Sequence, residues 1–295
     1  MQSIISYPDR GAGGDARYRG NFSPRLVADL LGHFRPKQVA DPMGGSYTTR
    51  DVCARLSVPC WSSDLRDGFD LLGDEIPVGA DLGILHPPYS NMILYSGAVW
   101  GEQADFCDLS RCPDYWTFIK RLNEAQYRLY ESLRRGGHMA VLVGDLRRAC
   151  EFYPIQRDMS WYGQPVSEVV KLQHNTTSSR TDYSGRFIPI VHEYLIITRK
   201  PEVWMVAVRE TQPRHLDARK FAGMTWRALT QAVLEALSGS APLQDIYRTA
   251  ADTARVERCR RDGQDWQAQI RRALQVYPDT FQPVERGVWS LAGAA

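Results

Sequence analysis

Four consecutive residues, His86, Pro87, Pro88 and Tyr89, close an aliphatic run that begins at Ala80. Neither proline carries an amide hydrogen and each fixes its own φ, so the strand cannot continue through them. What results is a rigid turn that holds an imidazole, a backbone carbonyl and a phenol in fixed relation at the end of a strand. A neutral imidazole accepts one hydrogen bond through its bare nitrogen and takes a proton near neutral pH; a protonated one accepts none. A second group, Asp41, Pro42, Met43, Gly44, Gly45 and Ser46, also follows a short apolar stretch. Without side chains at Gly44 and Gly45, a ligand can approach backbone amides at a helix N-terminus. The spacing is neither G-x-G-x-x-G nor a P-loop, which needs Gly-Lys-Ser/Thr. A glycine pair after a strand is also an ordinary turn. Asp64, after the next apolar stretch, is suited either to accept from ribose hydroxyls or to cap a helix.

These groups need elements to hold them. Strands are predicted at 38–40, 58–62, Ala80–Leu85, 138–143, 166–174 and 193–199. Between them lie helical patterns at Pro24–Phe34, with Ser23 as N-cap, at 48–56 and at 115–135. In the last, Phe118, Leu122, Ala125, Leu129 and Leu133 recur at helical spacing and Gly136 and Gly137 provide a stop. Strands alternating with helices predict an α/β fold with a mostly parallel sheet. Residues 175–185 form a polar loop rich in Ser, Thr and Arg.

A chain of 295 residues accommodates one domain of roughly 200 residues and a small second one. Its 43% hydrophobic and 24% charged content is that of a globular protein. The first residues, MQSIISYPDRGAGGD, lack the apolar core of a signal peptide, and no run approaches the ~20 apolar residues of a membrane span. The six cysteines contain no C-x-x-C pair, which disfavours a zinc site or a disulfide framework and fits free thiols in a cytoplasmic setting. The net charge of +2 does not by itself point to nucleic acid. The basic residues are mostly arginine, which suits phosphate contacts but equally follows from a GC-rich genome.

Taken in order, the two motifs resemble those of the DNA amino-methyltransferases, which methylate adenine N6 or cytosine N4 using S-adenosyl-L-methionine. The family carries a D-P-x-x-G-x-G-type cofactor loop, matched by DPMGGS, and a [DNS]-P-P-[YFW] turn, matched by HPPY. Gly20, Asn21, Phe22, Ser23 and Pro24 resemble the segment that closes over the cofactor's methionine end. Arg135, Gly136, Gly137 and His138 resemble the start of a later core strand. Phe187, Ile188 and Pro189, with His192, Glu193 and Tyr194, resemble the closing hairpin. The order matches the gamma arrangement, and the likeness covers roughly 15–200.

The resemblance implies a Rossmann-like class I methyltransferase domain at 1–208, with Asn21, Phe22, Asp41, Pro42, Gly44, Gly45 and Asp64 at the cofactor and His86, Pro87, Pro88 and Tyr89 at the target base. Flipping the base out of a duplex costs about a few kcal/mol. Stacking on Tyr89 returns roughly 1–3 kcal/mol. The Pro87 carbonyl and the residue 86 side chain accept from the amino group and free its lone pair. His86 departs from the family's Asp, Asn or Ser, which leaves open both a working enzyme and an inactive relative. Adenine N6 is favoured over cytosine N4 on family frequency.

Several residues near these motifs have a plainer reading. Asp67, Asp70 and Asp145 fit the rim of a site or solvated and capping roles, and Tyr95, Asp108 and Ser110 fit a covering loop. His174 and His192 suit packing or surface positions. Arg180 and Arg186 in the polar loop are candidate phosphate contacts.

After a linker at 209–222, residues 223–295 are expected to form three helices and a terminal hairpin, the layout of a winged helix-turn-helix. The helices are placed at 225–238, 243–253 and 265–277, with a basic stretch at 254–261. Gln267, Arg271 and Arg272 lie off the apolar face of the last helix, and Arg286 sits at the wing tip; these are the candidate contacts to double-stranded DNA. A helical dimerisation module is the alternative. The short insert at roughly 146–190 predicts a short or relaxed target sequence. An RNA amino-methyltransferase, a silent DNA-binding protein, and a small-molecule or protein methyltransferase are the competing functions.

Overall fold

The computed structural model describes residues 1–149, 151–174, 188–201, 205–209 and 213–292. Its central sheet has seven strands: β1 (Ile4–Ser6), β2 (Val39–Asp41), β3 (Cys60–Ser62), β4 (Ala80–Leu85), β5 (Leu133–Val143), β6 (Gln164–Leu172) and β7 (His192–Arg199). They lie in the spatial order β1-β6-β7-β5-β4-β2-β3. Only β7 runs against its neighbours β5 and β6; every other pairing in the sheet is parallel. The predicted mixed α/β class with a mostly parallel sheet is therefore present. Strand β1 was not anticipated: Ile5 alone of its three residues is buried, too short a signal to stand out in sequence.

The strands bury both faces by the two-residue alternation of extended chain. Met139 and Val141 of β5 join Ile196 of β7 in one core with Phe118, Leu122 and Leu129. Ala140, Leu142, Leu195 and Ile197 face the other way, onto Leu26, Val27 and Leu30. Helix α1 (Pro24–Phe34) supplies the second set. It begins with proline in its first turn, and Ser23 Oγ accepts from the Arg25 amide at 3.2 Å. Helix α2 (Thr48–Arg55) follows the glycine loop, and α3 (Tyr115–Ser132) covers the first face from an Asp114 cap. Helix α3 ends three residues before the predicted stop, because Leu133 is already extended and pairs with Ala80. The glycines then serve the strand: a Cβ on Gly137 would sit 3.0 Å from the Ala80 carbonyl oxygen.

The C-terminal part contains α4 (Trp226–Ala236), β8 (Ser240–Pro242), α5 (Leu243–Ala250), α6 (Ala254–Arg261), α7 (Trp266–Val276), β9 (Phe281–Glu285) and β10 (Val288–Leu291). Strand β10 lies between β8 and β9 in a three-stranded sheet. Leu229, Val233, Ile246, Val256, Ile270, Leu274 and Phe281 form its core. The basic stretch 254–261 is itself a helix: Val256 joins that core and Cys259, three residues on, is also buried. The expected linker also differs. Pro213–Asp217 pairs antiparallel with Met205–Arg209, which also pairs with Trp161–Tyr162. Ala218, Met224 and Ala228 belong to the core of the larger domain.

The two parts are joined at one edge of the large sheet. Arg227, 5% exposed, donates to the Ile76 carbonyl, and the Thr225 amide donates to Glu131 Oε1 at 2.9 Å. The Gly79 amide donates to Asp279 Oδ2 at 3.3 Å, and the Tyr277 hydroxyl to Glu75. Residues 75–79 lead into β4, so this is the amino end of the strands.

Candidate functional site

The opposite, carboxyl edge carries the motifs. Strands β2, β3 and β4 end in Asp41, Ser62 and Leu85, and the glycine loop, the Asp64 turn and the HPPY turn follow directly. The chain leaves β2 for β3 on one side and then returns past β2 to β4 on its other side, so the sheet has its switch point between β2 and β4, where α/β folds place ligands. An open cleft, about 730 Å³ with the solvent at its mouth included, lies at this point. Phe22, Pro42, Gly44, Gly45, Asp64, His86 and Pro88 all line it. The other predicted site residues of this domain within the described chain, Asn21, Asp41, Pro87 and Tyr89, are each next in sequence to a lining residue.

The glycine loop is tightly held. The Gly44 amide donates to the Ser63 carbonyl at 2.8 Å, and the Gly45 amide to Asp64 Oδ2 at 2.8 Å. Gly45 has φ +48°, and a Cβ on Gly44 would come within 2.8 Å of Ser62 Oγ. Arg66 clasps the loop from outside by donating to the Gly45 carbonyl at 2.5 Å, while its guanidinium lies over the rings of Tyr47 and Tyr18. Asp41 is 2% exposed and accepts from the Met43 amide at 3.2 Å; burial pushes its carboxyl up to about 7. Asp64 takes the capping role as well as lining the cleft: it accepts from Arg66 N at 3.2 Å, and burial raises its carboxyl too.

Next along the wall, Phe69, Asp70, Leu71 and Leu72 supply an apolar side with a second carboxylate. Asp67 instead accepts from the Tyr47 hydroxyl outside the cleft. The loop after HPPY covers the far side with Tyr95, Trp100 and Leu109. Asp108 fixes that loop, accepting from the amides and hydroxyls of both Ser96 and Ser110 at 2.7–2.8 Å. Tyr18 stacks on Tyr95 with ring centroids 5.9 Å apart. Asn21 braces this N-terminal segment, accepting from Arg10 at 2.8 Å and donating to the carbonyls of Ala16 and Tyr18.

The HPPY turn connects to a buried polar chain that the motif alone does not reveal. His86 Nε2 lies 3.1 Å from the Tyr89 hydroxyl, which donates to Glu193 Oε1 at 2.7 Å. Glu193 Oε2 in turn meets Lys171 Nζ at 2.5 Å. Burial drives the His86 imidazole down to about 4, so it is neutral at physiological pH. Burial also raises the Tyr89 phenol, with the Glu193 charge adding to it. For Glu193 burial is the largest single influence and acts to raise the carboxyl, but the Lys171 ammonium, His86 and the Tyr89 hydrogen bond together outweigh it and hold the group below its ordinary range. The edge of Phe22 packs on His86 at 5.0 Å between centroids. The Tyr89 ring lies directly on Gly144, where a Cβ would be 2.6 Å from its Cε2. Only glycine permits that approach.

Lys171 and Glu193 are opposite each other across β6 and β7. A sequence signal existed for both: each is a charge beside apolar residues of its strand, Lys171 between Val170 and Leu172 and Glu193 just before Tyr194 and Leu195. Among the remaining candidates, Asp145 is 8% exposed with no partner on Oδ1 among the described residues, and His174 Nε2 bonds Ser6 Oγ at 2.8 Å away from the cleft. His192 packs edge-on to Tyr194. Arg180 and Arg186 lie outside the described residues. In the C-terminal part Arg271, Arg272 and Arg286 are exposed and Gln267 is half-buried. Arg271 is shared between the Tyr247 hydroxyl, at 3.0 Å, and Asp265. None of these four lines the cleft. Among the described residues no cluster of His, Cys, Asp and Glu could hold a metal ion, and no helix is long and apolar enough to cross a membrane.

Neither a family model nor a curated sequence matches this chain. Several solved structures overlap its fold in part. TrmN from Thermus thermophilus is 17% identical, with a TM-score of 0.36 over 62% of this chain and 50% of that one. TTHA0409, also from Thermus thermophilus, provisionally assigned as a DNA modification methylase and solved with S-adenosyl-L-methionine, is 17% identical at a TM-score of 0.29, over 56% and 55%. The N-methyltransferase NodS from Bradyrhizobium japonicum is 12% identical at 0.31, over 61% and 94%. The chain thus spans about half the length of the first two.

Proposed function

We propose that this protein transfers a methyl group from S-adenosyl-L-methionine to the exocyclic amino group of a base flipped out of duplex DNA, adenine N6 in the first instance. The observation that carries this reading is the convergence of the glycine loop and the HPPY turn on one cleft at the switch point of the sheet.

The donor set suits the cofactor. Asp64 and Asp70 offer carboxylates for hydroxyls and an amino group, Phe69, Leu71 and Leu72 an apolar wall for an adenine, and Phe22 and the glycine loop a floor for the amino-acid end. When bound, the cofactor supplies a methyl group made electrophilic by its sulfonium. The chain's own work is positional. Pro87 and Pro88 fix the turn, so the Pro87 carbonyl and the His86 imidazole await an amino group without rearranging. Accepting from the two amino hydrogens frees the nitrogen lone pair. Because His86 is neutral, it accepts at physiological pH and can take the proton that leaves the methylated nitrogen. The half-buried Tyr89 ring, braced on Gly144, is the stacking surface for the base.

The test is methyl transfer from labelled S-adenosyl-L-methionine to unmethylated duplex DNA, with nucleosides of the product identified by mass. A labelled N6-methyladenine nucleoside, lost in Tyr89→Ala, is the expected result. Labelled N4-methylcytosine would reassign the base, and transfer to structured RNA alone would reassign the substrate. Cofactor binding without any transfer would leave a silent relative.

A further inference from the structure

We propose that Glu193, ion-paired with Lys171, is a positioning residue that acts through Tyr89 to hold His86 in a single tautomer, with the proton on Nε2 and the lone pair on Nδ1. This rests on the reading of His86 as an acceptor for the amino group, and it deepens that reading.

The assignment follows from counting donors along the chain of contacts. A lysine ammonium only donates, so Glu193 Oε2 accepts from Lys171 Nζ at 2.5 Å. An ionised carboxylate has no proton to give, so Oε1 accepts as well, and the hydroxyl hydrogen of Tyr89 is committed to it at 2.7 Å. The Tyr89 oxygen is left with acceptor capacity only. Its contact with His86 Nε2 at 3.1 Å is therefore a bond that the imidazole donates. A neutral imidazole carries one ring hydrogen, so Nδ1 is bare. The reverse direction would need a protonated Glu193 beside a lysine, which the ion pair opposes.

The arrangement matters because histidine is an ambiguous acceptor. A carboxylate or carboxamide oxygen accepts in any protonation state found at neutral pH, whereas an imidazole accepts only at the nitrogen without hydrogen. A tautomer left free to exchange would present a donor to the substrate part of the time, and a donor opposes an amino hydrogen. Strands β6 and β7 place the two charges directly opposite one another, with Glu193 9% and Lys171 7% exposed, so the chain is anchored by sheet register and not by loops. The Phe22 ring also packs against the imidazole, at 75° with centroids 5.0 Å apart.

The test begins with protein labelled with nitrogen-15 in histidine, and two-bond proton–nitrogen correlations of the His86 ring assigned by its loss in His86→Asn. The expected pattern is a protonated Nε2 and a bare Nδ1. In Glu193→Gln the carboxamide oxygen must face Lys171, so its NH2 donates to Tyr89. The phenol then turns its hydrogen to Nε2, and the pattern should invert. Single-turnover methyl transfer should fall about 10²–10⁴-fold, with cofactor affinity unchanged. A wild-type ring protonated on Nδ1, or a pattern indifferent to Glu193→Gln, would overturn the proposal. Inversion without a change in rate would overturn its link to the reaction. If Glu193→Gln does not fold, Tyr89→Phe breaks the same chain without adding a donor, and a mixture of tautomers is expected; a single unchanged tautomer would again overturn it. Absence of methyl transfer by the wild type would sink the functional reading, while the ring pattern would still decide the tautomer.

Discussion

At the scale of single residues, the proposed chemistry turns on the protonation of His86. Burial keeps its imidazole neutral down to about 4, against an ordinary 6.5. The single-turnover rate should therefore hold on acidification past the ordinary histidine range and fall only near that lower value, because the protonated ring accepts nothing. A pH–rate profile checks this; a break near the ordinary value would show that burial does not govern the group. His86→Ala should slow the chemical step by about 10²–10³-fold, the usual loss on removing a preorganised polar partner, while cofactor affinity stays the same. Asp41 titrates with the opposite sign. Its carboxyl is held protonated up to about 7, against 3.8 when unfolded. Over that window the folded state binds the extra proton, so its contribution to stability is lost as pH rises through it. For His86 the unfolded chain binds the extra proton, so that contribution is lost as pH falls from 6.5 toward about 4. Asp41→Asn should flatten the first slope, read as urea midpoints measured across the window.

At the scale of elements, the site depends on close approaches between neighbouring strands and helices. Gly144 follows β5 and lets the Tyr89 ring of the neighbouring turn lie on its backbone. Gly144→Ala should push that ring out of place, lowering methyl transfer at least tenfold with only a small loss of stability; thermal unfolding and single-turnover rates separate the two. Helix α3 supports β4 and β5 from behind through the fully buried Phe118. Phe118→Ala leaves a cavity there and should cost about 3–5 kcal/mol, measured by urea denaturation. The sequence predicted α3 and most strands well, because their apolar residues recur at clean periods. It misplaced the end of α3, since only pairing with Ala80 makes Leu133 a strand residue. It also missed the sheet made by Trp161–Tyr162, Met205–Arg209 and Pro213–Asp217, whose short strands have too little pattern to compete with loop composition.

At the scale of the whole molecule, the C-terminal part and the cleft occupy opposite edges of the sheet. Strand β4 has six residues, which at about 3.3 Å each separates the edges by about 20 Å. Arg271 and Arg272 do not line the cleft. If they touch DNA phosphates, replacing both should weaken DNA binding and reduce its salt dependence by about one counterion each, without changing the rate at saturating DNA. Binding curves at several salt concentrations decide this. Unchanged affinity would favour the dimerisation reading of this part.

The sequence by itself determined the α/β class, the two loops and their placement after strands, since each is written in local periodicity and in the backbone limits of proline and glycine. It also marked His86 as the unusual member of its turn. Only the tertiary structure decided what supports that histidine: Lys171 and Glu193 pair because β6 and β7 share one register, and the strand order brings Glu193, 104 residues away in the chain, to the hydroxyl of Tyr89 in the HPPY turn. It likewise decided that Asp64 caps its own turn and clasps Gly45, and that the C-terminal part joins the edge away from the cleft. Such contacts depend on strand order and register, which hydrophobic pattern leaves unspecified.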